Sequence, residues 1–374
     1  MDSKSLPLPF WRHPLSEAPS NSVHLSSVTD SASAASSVPW IAAALRASPG
    51  ELLQRLTGEK IEGVTEIRSG VEGPHIYLTG SLHGNEPVGA QVLYALHLAQ
   101  EQRPLLSRGQ LTLILGNPAA FEASKRYIDE DLNRAFVHSP RRNIEGRRAL
   151  ALRGLLRRDP PDFLLDFHSV SSDNAHIVVY REESRRWAET IGGFPTHFCY
   201  APEHMAGRTL LDEVINMGRP ALVLECGRHG EPSGIAAALT HIDRLLEHFG
   251  LRDPERAPLA PPAEPAPHPI RYRTVQSIRP GPQFRFSCPI KTGYELQAGE
   301  PFAEDLFGPH VAANRCWLMM PSLVVGPHDA DAGWLCEREQ VGGRSVSGEF
   351  TRPAEQVVAY SPSPEVRGSD RTHR

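Results

Sequence analysis

The sequence predicts an α/β fold, a mostly parallel sheet flanked by helices, with a smaller β-rich region behind it. Three observations carry this expectation. Short, nearly continuous apolar runs (HIYLTGS, LTLIL, DFLLDF, ALVL) suit strands buried on both faces. Between them lie longer stretches with apolar residues three and four apart, the spacing of a helix face. A Pro/Ala-rich stretch then separates this alternation from short β-like runs punctuated by Gly and Pro.

The elements follow in order. Residues 1–57 read as a poorly ordered leader rich in Ser, Pro and Ala, with a docked segment around Phe10 and Trp11. That leader closes in one or two short helices within WIAAALRASPGELLQRLT, broken at Pro49 and Gly50. Residues 58–250 form the region that carries the chemistry. Its expected strands are 75–81, 111–115, 162–167, 176–180 and 221–224, and its expected helices 87–100, 142–157, 210–217 and 235–248. Residues 251–269 are a Pro-rich, extended linker, residues 270–344 a β-rich region with runs such as YRTVQSI and WLMMPSLVV, and residues 345–374 a loose polar tail.

At 374 residues the chain can bury a large core, and 40% hydrophobic with 22% charged residues is ordinary for a globular protein. A net charge of -5 argues against a general nucleic-acid or anionic-membrane binder. The five cysteines are scattered, with no C-x-x-C pair, which points to free thiols in a reducing compartment and against a thiolate metal site. With no signal-peptide core and no apolar run of membrane length, the expected location is the cytoplasm. A homo-oligomer stays open.

The sharpest local signal is SLHGNEP at 81–87. His83 and Glu86 are three apart between a strand and a helix, so imidazole and carboxylate can converge on one cation. Alone, the pair is a weak signal and reads more readily as a loop histidine and a carboxylate favoured by a helix N-terminus. His168 adds a third donor at the end of DFLLDF, on the sheet edge where open α/β folds hold their ligands. Two histidines and a glutamate with an open fourth position are the ligand set of a catalytic zinc. Asp166, on the same face as His168, either hydrogen-bonds the outer nitrogen of a ligating imidazole or caps a neighbouring loop. Glu225, after ALVL, either exchanges a proton with an attacking water or pairs with Arg228. In RYIDEDLNR at 126–134, Arg126 suits polarisation of a carbonyl, and Arg134 with Asn133 suits a substrate carboxylate. Taken in isolation the same string is a solvated charged loop.

HGNE at 83–86, GNPAA at 116–120, RYIDEDLNRAF at 126–136, DFH at 166–168 and LECG at 224–227 together resemble the succinylglutamate desuccinylase/aspartoacylase family, within the zinc carboxypeptidase superfamily. The resemblance covers residues 73–250 and, more loosely, the β-rich region. It implies a zinc-carboxypeptidase-like core with one Zn(2+) per subunit held by His83, Glu86 and His168, and Glu225 as general base. It also implies carbonyl polarisation by Arg126, recognition of the substrate's α-carboxylate by Asn133 and Arg134, and a pocket position for Asn117. The implied substrate is a small N-acyl amino acid. The stretch before the base, HMAGRTLLDEVINMGRP, departs from the family's pattern: Arg208 is shifted and no tyrosine accompanies it. Tyr294 is the candidate for the family's late active-site tyrosine.

Two other activities compete with this expectation. A zinc carboxypeptidase acting on peptides would need an open cleft, whereas the β-rich region suggests a closed one. A binding protein that keeps the metal without turnover would be expected to lack a ligand or the base, and all are present.

Overall fold

The computed structural model describes residues 38–339 apart from 59, 174, 206, 254, 262–267 and 326–330. The expected segment around Phe10 and Trp11 and the tail of 345–374 lie outside the described residues. Helices α1 (Pro39–Arg46) and α2 (Pro49–Arg55) each open on a proline, whose missing N–H costs nothing in a first turn. Ser48 between them caps α2 by accepting from the Glu51 N–H.

The α/β alternation then runs β1 (Val64–Arg68), β2 (His75–Gly80), α3 (Pro87–Gln102), β3 (Gln110–Leu115), α4 (Pro118–Glu122), α5 (Ile144–Arg158) and β4 (Phe163–Val170). It continues through β5 (His176–Tyr180), α6 (Arg185–Ile191), β6 (Thr196–Cys199), α7 (Leu210–Asn216), β7 (Ala221–Arg228) and α8 (Ser233–His248). Behind the Pro-rich stretch come β8 (Ile270–Ser277), β9 (Arg285–Phe286), β10 (Tyr294–Leu296), β11 (Pro301–Asp305), β12 (Gly308–Val311), β13 (Cys316–Met319) and β14 (Trp334–Arg338). Where the sequence suggests that β4 and β7 stop at their last apolar residue, both continue through the following polar ones. His168 and Glu225 are paired in the ladder there, so the backbone stays extended.

The fold is mixed α/β. Among the described residues, eleven strands form one sheet in the order β1-β3-β2-β4-β7-β5-β6-β8-β14-β13-β10, and β12-β11-β9 form a second, antiparallel one. Strands β3, β2, β4 and β7 are mutually parallel. Beyond them β5 runs antiparallel to β7, and β8 joins parallel to β6. Every residue of β2 and β4 is buried, as continuous apolar strands between two helical layers must be.

Two apolar clusters cover the large sheet. One gathers Leu93, Leu96, Ile235 and Leu239 from α3 and α8, and the other Leu152, Leu156, Leu210 and Val214 from α5 and α7. Part of the Pro-rich stretch packs with the first: Leu251, Leu259 and Ala260 are buried in it, and the Trp40 indole donates to the Leu259 carbonyl. A third cluster lies under β10, β11 and β13. No helix among the described residues is long and apolar enough to cross a membrane.

Candidate metal centre

Adjacent parallel strands β2, β4 and β7 end side by side, and each delivers one part of the site. After β2 the chain turns sharply. Ser81 takes a left-handed conformation (φ 52°), and its hydroxyl donates to the Glu86 carbonyl and accepts from the Ala90 N–H. Such strain in a non-glycine residue persists only where its surroundings enforce it. At Gly84 a Cβ would stand 2.1 Å from the Ala120 carbonyl carbon, so only glycine lets this turn lie against α4. Pro87 starts α3 and leaves Glu86 at the N-cap. Its side chain makes no capping bond and turns to the two imidazoles instead.

His83, Glu86 and His168 are all buried, and one donor atom from each lies within 4.8 Å of the others. Glu86 Oε1 is 2.8 Å from His83 Nδ1, and Oε2 is 2.9 Å from His168 Nδ1. The far nitrogen of each ring is held by a further carboxylate, His83 Nε2 by Asp131 at 3.0 Å and His168 Nε2 by Asp166 at 3.0 Å. A carboxylate behind each ligating imidazole fixes its tautomer and raises its basicity, the usual support of a metal-binding histidine. Electrostatics agree. Burial opposes charge on His168, yet Asp166 and Glu86 hold its imidazolium well above the ordinary range. The cluster calls for positive charge, and its donor set fits a zinc-type cation.

Glu225 stands on β7 opposite His168 on β4. Its Oε2 is inaccessible and takes no hydrogen bond. Burial, partly opposed by His168, pushes its carboxyl up to about 7. An unpaired carboxylate in an apolar strand is costly unless something compensates it.

The string at 126–134 closes the site from the other side. Arg126 donates to Glu86 (3.5 Å) and to Asp131 (3.1 Å). Leu132–Arg134 form one 3₁₀ turn, capped by Asp131 accepting from the Asn133 N–H. Asn133 accepts the Leu210 N–H at 3.1 Å, which fixes the orientation of its amide. Arg134 pairs with the buried Asp331 at 3.1 Å.

One cavity brings together His83, Glu86, His168, Glu225, Arg126, Asn133 and Arg134. Asp166 stands behind His168 rather than in the lining, and three residues expected to contact substrate do not line it either. Asn117 is buried behind the site, where it caps α4 and donates to Glu145 at 3.1 Å. Glu145 in turn accepts the N–H groups of Ile128, Asp129 and Glu130, so this pair braces the loop that carries Arg126. Arg208 is half exposed and 3.8 Å from Glu213. Tyr294, on the edge strand β10, packs against the third apolar cluster. Among the cavity residues without a sequence assignment are His229, whose Nδ1 lies 2.8 Å from the Ser169 hydroxyl, Tyr200 and Asp331. Asp131, inside a string already singled out, also went without a role. Its spacing before Asn133 and Arg134 was the available signal.

Comparison with known proteins places this geometry in context. Residues 72–248 match the family model of the succinylglutamate desuccinylase/aspartoacylase catalytic domain. A probable aspartoacylase from Nostoc sp. is 37% identical over 112 residues, covering 28% of this chain and 38% of that protein. An N-acyl-aromatic-L-amino acid amidohydrolase (carboxylate-forming) from Xenopus tropicalis is 27% identical over 194 residues, covering 46% of this chain and 60% of that protein. The chain thus spans less than two thirds of the length of these curated relatives. The solved structure of succinylglutamate desuccinylase from Vibrio cholerae superposes with a TM-score of 0.58 at 20% identity, over 74% of this chain and 86% of that one. This last likeness is one of fold.

Proposed function

Because this chain belongs, through residues 72–248, to the succinylglutamate desuccinylase/aspartoacylase family, we propose that it hydrolyses the amide bond of a small N-acylated amino acid, with one zinc ion per chain held by His83, Glu86 and His168. The observation that carries the reading is Glu225, whose buried Oε2 takes no hydrogen bond, beside a buried His–Glu–His cluster. Zinc held there supplies Lewis acidity toward water and a carbonyl oxygen. The other roles belong to the chain's own side chains. Glu225 takes a proton from the attacking water and returns it to the leaving nitrogen, a task for a group that titrates near neutrality. Arg126 stabilises negative charge on the scissile carbonyl oxygen from a position fixed by Glu86 and Asp131. Arg134 and Asn133 hold the substrate's α-carboxylate. Asp166 and Asp131 keep the two imidazoles aimed at the cation.

A cytoplasmic location is part of the proposal, supported by five cysteines that are all free thiols. The test is a hydrolysis screen of the zinc-loaded protein over N-acetyl, N-succinyl and N-formyl amino acids, with unacylated peptides alongside. Release of free amino acid from an N-acyl substrate supports the reading. Cleavage of unacylated peptides alone would transfer the protein to the carboxypeptidase reading.

A further inference from the structure

We propose that this site selects substrates whose group in the inner cavity is uncharged and apolar, and that Asp331 is the residue that excludes a second carboxylate. The inference rests on the deacylase reading above and names its substrate class. It begins with the apolar part of the cavity lining. Val179 from β5, Phe198 from β6, Leu211 from α7, Val223 from β7 and Trp334 from β14 line it, with Met205 beside them. An apolar wall favours an apolar occupant and leaves a carboxylate unsolvated.

A dianionic substrate would therefore need a second cation, and the described lining offers two guanidiniums, both already matched by carboxylates. Arg126 bonds Glu86 and Asp131. Arg134 is bonded by Asp331, a side chain only 2% exposed. Two donors of Arg134 are used, one by Asp331 and one by the Asn133 carbonyl, while its Nε–H has no acceptor. That arrangement can serve one substrate carboxylate. A second would meet Asp331, whose Oδ1 is itself buried without a hydrogen bond. Two carboxylates at close range in a desolvated site repel strongly.

Asp331 thus acts by subtraction. It removes the spare positive charge that recognition of an acidic acyl group or acidic side chain would use.

Two matched pairs test this on zinc-loaded protein: N-acetyl-L-leucine against N-acetyl-L-aspartate, and N-hexanoyl-L-leucine against N-succinyl-L-leucine. Each pair is measured by kcat/KM on wild type and by calorimetric affinity on Glu225→Gln. The monoanionic member should win in both readouts by about tenfold or more, a modest part of what like-charge juxtaposition can cost. Asp331→Asn should narrow that gap by about tenfold and Asp331→Glu should keep it. A wild-type preference for the dianion, or an unchanged ratio in folded Asp331→Asn, would overturn the proposal. If Asp331→Asn does not fold, the wild-type ratios and the affinities decide. Should no N-acyl amino acid be hydrolysed, the deacylase reading fails, and the affinities alone still support or overturn the selectivity.

Discussion

Glu225 on β7 and His168 on β4 are direct partners across two parallel strands, so the carboxylate and the imidazole leave the sheet on one face. Both strands run on past them, with a register shift between His168 and Val170. Apolar burial on both faces of the sheet holds the backbone, and the ladder register then sets the spacing between a metal-type ligand and the proposed base. That rigidity is what a proton-transfer geometry requires.

The first prediction concerns the metal. Purified protein should carry about one zinc per chain, because three protein donors leave a single open tetrahedral position. His83→Ala and His168→Ala should each lose most of it on elemental analysis. Unchanged zinc in both variants would remove the ligand assignment.

The carboxylates behind the imidazoles give the second. Asp131→Asn and Asp166→Asn leave all three ligands in place, yet should weaken zinc binding by about 10–100-fold. Competition against a chromophoric chelator measures this. Wild-type affinity in both variants would mean that the hydrogen bonds at 3.0 Å to His83 and His168 serve the fold alone.

Much of this centre was legible in the sequence, for physical reasons that differ by residue. His83 and Glu86 stood out because an apolar strand, a tight turn and a helix-starting Pro87 follow one another within a few positions. His168 and Glu225 did so because each is a polar residue at the end of a buried apolar run. The missing pieces lacked any local pattern. Strand β1 is a half-exposed edge strand with polar residues among its apolar ones, and β6 has only four residues. Asn117 matched a motif, but the motif's work is to cap α4 and hold Glu145. Asp331 belongs to no motif, one of two acids in the stretch HDADAG, and is brought to Arg134 by β8 and β14 extending the main sheet.

A third prediction separates recognition from structure at Arg134. Lysine keeps the charge but cannot form two parallel bonds to a carboxylate. Arg134→Lys should raise KM for a free-acid substrate by about tenfold or more, while changing little for its methyl amide. Equal losses toward both would assign Arg134, with its Asp331 partner, a structural role.

The fourth prediction is a pH dependence of stability. Burial pushes His197 down to about 4 and His241 down to about 3. An unfolded histidine titrates near about 6.5, so between these values the unfolded chain binds more protons than the folded one. Stability from these groups is complete above about pH 6.5 and is lost as pH falls toward 4 and below. Melting temperature should drop across that window, and less steeply in His241→Met, which removes one of the two groups. Identical slopes in wild type and variant would refute the assignment.

The central claim is that Glu225 moves the proton, and one preparation of Glu225→Gln tests it most directly. The amide matches the carboxylate in shape but cannot accept the water's proton. Zinc content, melting temperature and kcat are measured together on that preparation and on wild type. The account predicts intact zinc, an unaltered or raised melting temperature, and a kcat lower by about 10²–10⁴-fold. A near-normal kcat with zinc in place would contradict it.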